Sequence, residues 1–255
     1  MLKRIALIAG LGMFVALAGG LLAQEGATKG PGMGPGGRGR SGRPMGPGPF
    51  GGMQGAADTE FFKSVPMAKS EEEKKILDVL TDLRENQSRG MMNVAMDDGR
   101  FLRVFAEMSG AKNVVEIGTS NGYSAIWFCL ALRNTGGKLT TFEIDPGRAE
   151  MARQNFKRAG VDSIVTLVEG DAHETVAQLK DPIDILFLDA DKEGYLDYLN
   201  KLLPLVRPGG VILAHNINPP QADPKYIEAI TTNSDLETIL VSMYSAGVSV
   251  TLKKR

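Results

Sequence analysis

The sequence predicts an α/β fold: a doubly wound, mostly parallel seven-stranded sheet with a C-terminal antiparallel hairpin. Three observations predict it. From Val114 onward, short apolar runs alternate with amphipathic stretches, the pattern of parallel strands joined by crossover helices. The run Val114-Val115-Glu116-Ile117 stops at a turn bracketed by Gly118 and Gly122, a strand–loop–helix unit of the kind that cradles nucleotide-like ligands. The last two apolar runs, Leu236 to Met243 and Val248 to Leu252, are joined only by Tyr244-Ser245-Ala246-Gly247, and a link that short requires antiparallel pairing.

The elements follow in order. Ser70-Glu71-Glu72-Glu73 is a capping box, with Ile76, Leu77, Leu80 and Leu83 as the apolar stripe of the helix behind it. A second helix starts at Asp97 or Asp98, turns Phe101, Leu102, Phe105 and Met108 inward, and ends at Ser109-Gly110. These two helices are expected to cap one edge of the sheet. Val114 to Ile117 is a strand and Tyr123 to about Leu132 a helix whose free N–H groups face back to the glycine turn. Lys138 to Ile144 is a strand, and Asp145-Pro146 starts a helix that runs to Ala159-Gly160. Then come strand Ile164 to Val168, helix Ala172 to Leu179, strand Ile183 to Leu188 and helix Glu193 to Leu203. Pro208-Gly209-Gly210 reads as a turn into strand Val211 to Ala214, and helix Pro224 to Thr231 precedes the hairpin.

Ahead of this domain, residues 1–23 read as a signal peptide: Lys3-Arg4, an apolar stretch, and small residues at Ala16-Leu17-Ala18 and Leu21-Leu22-Ala23. The apolar stretch is also near the length that spans a bilayer, so an uncleaved membrane anchor is the alternative to export. Residues 24–57 read as a disordered Gly/Pro-rich linker, and the folded domain is expected over 58–255. Thirteen glycines and five prolines fill positions 26–55, which leaves little apolar surface to offset ordering entropy. Its four cations, Lys29, Arg38, Arg40 and Arg43, can touch a membrane or other anionic surface, but a solvated spacer is the simpler expectation. Residues 1–57 carry a net +5, leaving −6 on the remainder of a chain whose formal charge is −1. An acidic domain argues against nucleic acid as a partner. Cys129, the only cysteine, is expected as a small core residue.

Ligands of such sheets bind beyond the carboxyl ends of the strands. Five successive strands here deliver acidic or amide groups to that rim: Glu116, Glu143, Glu169-Gly170-Asp171, Asp189-Ala190-Asp191-Lys192 and His215-Asn216. Glu143 stands where a carboxylate can accept both hydroxyls of a ribose. Asp171 and Ala172 can meet a base edge, or Asp171 can simply cap the next helix. Asp189 and Asn216 offer oxygen ligands to a hard cation. Lys192, beside them, can take a proton from a substrate hydroxyl. The dinucleotide fingerprint G-x-G-x-x-G is absent, which disfavours a nicotinamide or flavin enzyme.

These residues carry a family resemblance. Met92-Asn93-Val94, Glu116 to Ser124, Phe142-Glu143-Ile144-Asp145, Glu169-Gly170-Asp171-Ala172, Phe187-Leu188-Asp189-Ala190-Asp191-Lys192 and Pro208-Gly209-Gly210-Val211 resemble, in order, the cation-dependent O-methyltransferases of the catechol and caffeoyl-CoA type. The resemblance implies the class I, Rossmann-like methyltransferase fold and S-adenosylmethionine (SAM) as cofactor. It places Met92 and Val94 along that cofactor, and Gly118, Ser120, Tyr123 and Ser124 around its methionine end. Glu143 is placed on the ribose, and Asp171 with Ala172 on the adenine. It implies a divalent cation, typically magnesium, on Asp189 and Asn216, with Lys192 as general base and a small hydroxyl compound, catechol-like, as acceptor. Whether two copies pair is left open.

One position departs from the pattern. The family carries Asp-Asn at the end of the fifth strand; here it is His215-Asn216. His215 is then a ligand that shifts preference toward manganese or another transition metal, a second base, or the mark of a lost metal. The last case admits a second function class: an exported, non-catalytic SAM- or nucleotide-binding protein. His173, the other histidine, is expected as a surface residue or cap.

Overall fold

The computed structural model describes residues 64–242 and 246–255. The expectations for residues 1–63, including the signal, the linker and a domain start at Asp58, lie outside the described residues. So do those for Tyr244 and Ser245 of the hairpin link.

Seven strands form one sheet: β1 (Asn113–Ile117), β2 (Lys138–Glu143), β3 (Val165–Glu169), β4 (Ile183–Leu188), β5 (Val206–His215), β6 (Leu236–Val241) and β7 (Val248–Lys253), in the order β3-β2-β1-β4-β5-β7-β6. β1 to β5 run parallel, while β7 pairs antiparallel with both β5 and β6. The strand order reverses between β1 and β4, which opens the crevice where doubly wound sheets take ligands.

The helices are α1 (Glu71–Asn86), α2 (Met96–Met108), α3 (Tyr123–Thr135), α4 (Pro146–Ala159), α5 (Ala172–Thr175), α6 (Tyr195–Leu202) and α7 (Pro224–Thr232). Alternation along each strand divides the core into two layers. Val114, Ile185, Phe187 and Leu213 pack under α3, α4, α1 and α2, whereas Val115, Ile117, Leu186, Leu188 and Ile212 pack against α6 and α7. α3 is buried on every side from Tyr123 to Leu132, which explains its apolar circumference; Cys129 lies inside it with no exposure. α1 and α2 cover α3 instead of capping a sheet edge.

Half of the expected capping box forms: the Ser70 hydroxyl accepts from the Glu73 N–H at 3.2 Å, but Glu73 Oε2 accepts from the Lys69 N–H at 2.9 Å, one residue before the cap. Asp145 caps α4 and Gly160 closes it in a left-handed conformation. Three further expectations need correction. In α2 the inward stripe is Asp98, Gly99, Leu102 and Ala106, so Met108 points outward at 75% exposure. The stretch after strand three is a single α turn followed by a 3-10 turn, not one helix to Leu179. Pro208-Gly209-Gly210 is not a turn before β5 but a bulge inside it. The register with β4 jumps from Ile183↔Val206 to Ile185↔Val211, and Gly209 takes φ +79°.

Gly99 sets the approach of α2 to α3. A Cβ there would lie 2.3 Å from Trp127 Cδ1, and Trp127 is 2% exposed. Alanine in a helix gains up to about 1 kcal/mol over glycine from propensity, but overpacking a closed site costs about 1–3 kcal/mol. The clash should win. Gly99→Ala is expected to lower stability by about 1–2 kcal/mol in urea unfolding; a more stable variant would show that α2 is free to shift.

Candidate active site

The crevice is built from the loop after β1. Gly118 (φ +103°) lies against the end of β4: a Cβ there would meet the Asp189 carbonyl oxygen at 2.5 Å. The Asp189 N–H donates to the Ile117 carbonyl at 2.9 Å, and the Gly118 and Thr119 N–H groups donate to the Phe142 carbonyl. Three strand ends are thus tied to one loop. From outside, Asn155 Nδ2 holds the Asn121 carbonyl at 2.9 Å. Gly122, left-handed at φ +89°, is the N-cap of α3 and offers no side-chain acceptor to the first turn. That leaves the helix N-terminus for an anionic group.

The sequence-expected cofactor residues are brought to this rim in different ways. Glu143, 6% exposed, ends β2. Its Oε2 accepts from the Ser120 N–H at 2.6 Å and its Oε1 from the Asp145 N–H at 3.0 Å, which fixes the carboxylate and leaves lone pairs on both oxygens. Ser120 takes φ +50°, and its hydroxyl points to Met91 Sδ at 3.6 Å. Val94 and Tyr123 are buried, while Met92 is 80% exposed. Asp171 is exposed and caps α5 through the His173 N–H at 2.8 Å; Ala172 is buried beside it. The Ser124 hydroxyl is already engaged. It donates to Glu116 Oε1 at 2.6 Å, so at this position the free group for a ligand carboxylate is backbone, not side chain.

The polar end of the rim is a connected cluster. His215 is 7% exposed and lies between two carboxylates, with Nδ1 at 3.2 Å from Asp189 Oδ1 and Nε2 at 3.0 Å from Asp98 Oδ2. Burial alone would push its imidazole toward neutral. The hydrogen-bonded Asp189 and Asp98 outweigh that and lift its pKa to about 9. Lys192 Nζ donates to the same Asp189 Oδ1 at 3.2 Å and to the Tyr195 hydroxyl at 2.7 Å. The Tyr195 hydroxyl reaches the carbonyls of Leu188 at 2.9 Å and His215 at 3.1 Å, so it clasps the ends of β4 and β5. Asn216 follows at φ +58°, half-buried.

Two participants were missed in the sequence. Asp98 reads in the sequence as a helix start, although it is in phase with Leu102 and Ala106 on the inward face, and that phase is the available signal. Tyr195 gave no signal, because a tyrosine on an apolar stripe looks like core. His173 is more than a cap: Nδ1 meets Asp197 Oδ2 at 2.5 Å, the ring stacks on Tyr198 at 4.3 Å, and Asp197 raises its pKa.

The donor set does not fit a divalent cation. Nitrogen ligation needs a lone pair on a neutral imidazole, yet both His215 nitrogens face carboxylates that only accept. Asp189 Oδ1 already serves both His215 and Lys192. Among the described residues no group of three or more His, Cys, Asp or Glu is arranged to hold a metal.

A sequence model of the O-methyltransferase family matches residues 67–222, the span that contains every residue of this rim. The chain belongs to the O-methyltransferase family. It is similar to catechol O-methyltransferase of Niastella koreensis, 41% identical over 130 residues that cover 49% of this chain and 58% of the relative. A catechol O-methyltransferase of Mycobacterium tuberculosis is 40% identical over 127 residues, covering 49% of this chain and 56% of the relative. The matched region thus spans somewhat over half the length of these curated relatives. Among solved structures, the Bacillus cereus O-methyltransferase in complex with SAH superposes with a TM-score of 0.64 at 26% identity, over 78% of this chain and 97% of that one. The O-methyltransferase of Streptomyces achromogenes involved in tomaymycin synthesis, in complex with SAM, gives a TM-score of 0.64 at 25% identity, over 76% and 95%. The fold of this O-methyltransferase-family chain is therefore the Rossmann-like one expected from its sequence.

Proposed function

We propose that this protein moves a methyl group from SAM to a hydroxyl of a small, catechol-like acceptor. One observation carries the reading: a single rim joins an open helix N-terminus and the fixed Glu143 carboxylate to the Asp189–Lys192 pair. When bound, SAM supplies an electrophilic methyl on a sulfonium that departs as a neutral thioether once the acceptor oxygen has taken the methyl. The N–H groups of the α3 first turn hold its carboxylate, and Glu143 accepts from the ribose hydroxyls. Asp171 and Ala172 border the adenine, and Met92 and Val94 border the crevice. Lys192, steered by Asp189 and Tyr195, takes the acceptor's hydroxyl proton, leaving oxygen nucleophilic. Relatives named for catechol support the acceptor class. A purely binding protein has no need of the Asp189–Lys192–Tyr195 arrangement, which favours the enzyme. The same reading includes export, supported by the signal-like residues 1–23.

The test is calorimetric titration of the full chain with SAM, then methyl transfer to a panel of catechols. Micromolar binding with transfer is expected. Glu143→Ala should weaken SAM binding by about 10–100-fold, the loss of charged hydrogen bonds worth about 1.5–3 kcal/mol. Absence of SAM binding would sink the reading, and binding without transfer to any hydroxyl would support the binding-protein class.

A further inference from the structure

We propose that in this chain His215, clamped between Asp98 and Asp189, stands in place of the divalent cation, so that the rim works without a metal. The inference deepens the O-methyltransferase reading and rests on it.

The argument is geometric. The resemblance places an aspartate at this strand end, which with Asp189 and an asparagine makes an oxygen site for a hard cation. In this chain His215 Nδ1 and Nε2 lie 3.2 and 3.0 Å from the two carboxylates. Carboxylates accept and do not donate, so both contacts are hydrogen bonds only when both ring nitrogens carry protons. A doubly protonated ring is a cation with no lone pair to give a metal. It also fills the role that a metal would have toward Asp189, namely a positive charge bonded to Oδ1. Lys192 Nζ donates to the same oxygen at 3.2 Å. Asp98 completes the exchange. It is 1% exposed on the first turn of α2, and a buried carboxylate needs hydrogen-bonded partners; His215 Nε2, at 3.0 Å, is one of them. The substitution of histidine at strand five and the inward turn of Asp98 on a different element thus form one device, which a degenerate site would not need. The consequence for the reaction is that hydroxyl activation falls to Lys192 and Asp189.

The experiment is Mn²⁺ binding to the EDTA-stripped full chain, read by electron paramagnetic resonance, with SAM binding measured on the same samples by calorimetry. The wild type should leave Mn²⁺ free, and EDTA should not change its SAM-dependent turnover. His215→Asp, which restores the family's pair, should tighten Mn²⁺ binding by about 10–100-fold, the scale on which metal-site partners act. Because that variant sets aspartate against Asp98, Asp98→Asn/His215→Asp is run beside it and should behave alike. Specific Mn²⁺ binding by the wild type, or turnover that EDTA removes and Mg²⁺ or Mn²⁺ restores, would overturn the proposal. Lack of tightening in a folded double variant would do the same. Loss of SAM binding in the wild type would instead count against the O-methyltransferase reading, and the Mn²⁺ signal would still decide the metal question.

Discussion

Replacing His215 by alanine is expected to destabilise the fold by about 3–5 kcal/mol, the scale for breaking a buried pair by removing one member. The pair it breaks has side-chain exposures of 8% for His215 and 1% for Asp98. Asp98 sits in the first turn of α2, where the helix dipole favours a carboxylate by only about 0.3–1 kcal/mol. That cannot replace a hydrogen-bonded cation. The contrast is the Lys74–Asp78 pair on α1, with exposures of 56% and 63%; breaking it should cost only a few tenths of a kcal/mol. Asp98→Asn added to His215→Ala removes the stranded charge, so the double variant should recover most of the loss. Urea unfolding of the two singles and the double gives the coupling. A His215→Ala loss below about 1 kcal/mol would mean that the other contacts of Asp98 suffice to hold its carboxylate.

Much of this architecture was legible in the chain because its cause is local. Ile183 to Leu188 is apolar but for Asp184 and is β4 to the residue; Asp145-Pro146 and Gly160 carry the chemistry of a helix start and stop and bound α4. At β5 the sequence misleads for an equally physical reason. Glycine and proline mark turns and bulges alike, and only pairing with β4 tells them apart. The rim residues could be collected from strand ends, since topology fixes where those ends lie. What sequence could not show is which of them bond to one another. Ser124 was expected to face a ligand but is spent on Glu116. Asp98 comes to His215 across 117 positions, a contact that depends on how α2 packs over α3. The identity of His215 was visible as a departure, but its meaning depended on Asp98, and so on tertiary structure.

Glu116 should make this protein less stable as pH rises. Its carboxyl is fully buried and accepts from the Ser124 and Thr141 hydroxyls at 2.6 Å each. Burial raises its pKa to about 8 from an ordinary 4.5, against those two hydrogen bonds, and the charges of Asp189 and Glu143 add to the rise. The folded chain therefore holds this proton more tightly than the unfolded chain. Stability falls as pH climbs from the unfolded pKa toward the folded one and levels off above it. At about 1.4 kcal/mol per pH unit the full penalty is on the order of 5 kcal/mol. Glu116→Gln is uncharged throughout and keeps one acceptor and one donor for the two hydroxyls. Relative to the wild type it should be near neutral at about pH 5 and more stable by about 2–5 kcal/mol at about pH 9. Urea unfolding of both proteins across that range checks it, and parallel pH profiles would exclude Glu116 as the source. The same bonds bear on the site. With Ser124 turned toward Glu116 and the sheet, the first turn of α3 meets its ligand with N–H groups, which carry no titratable charge.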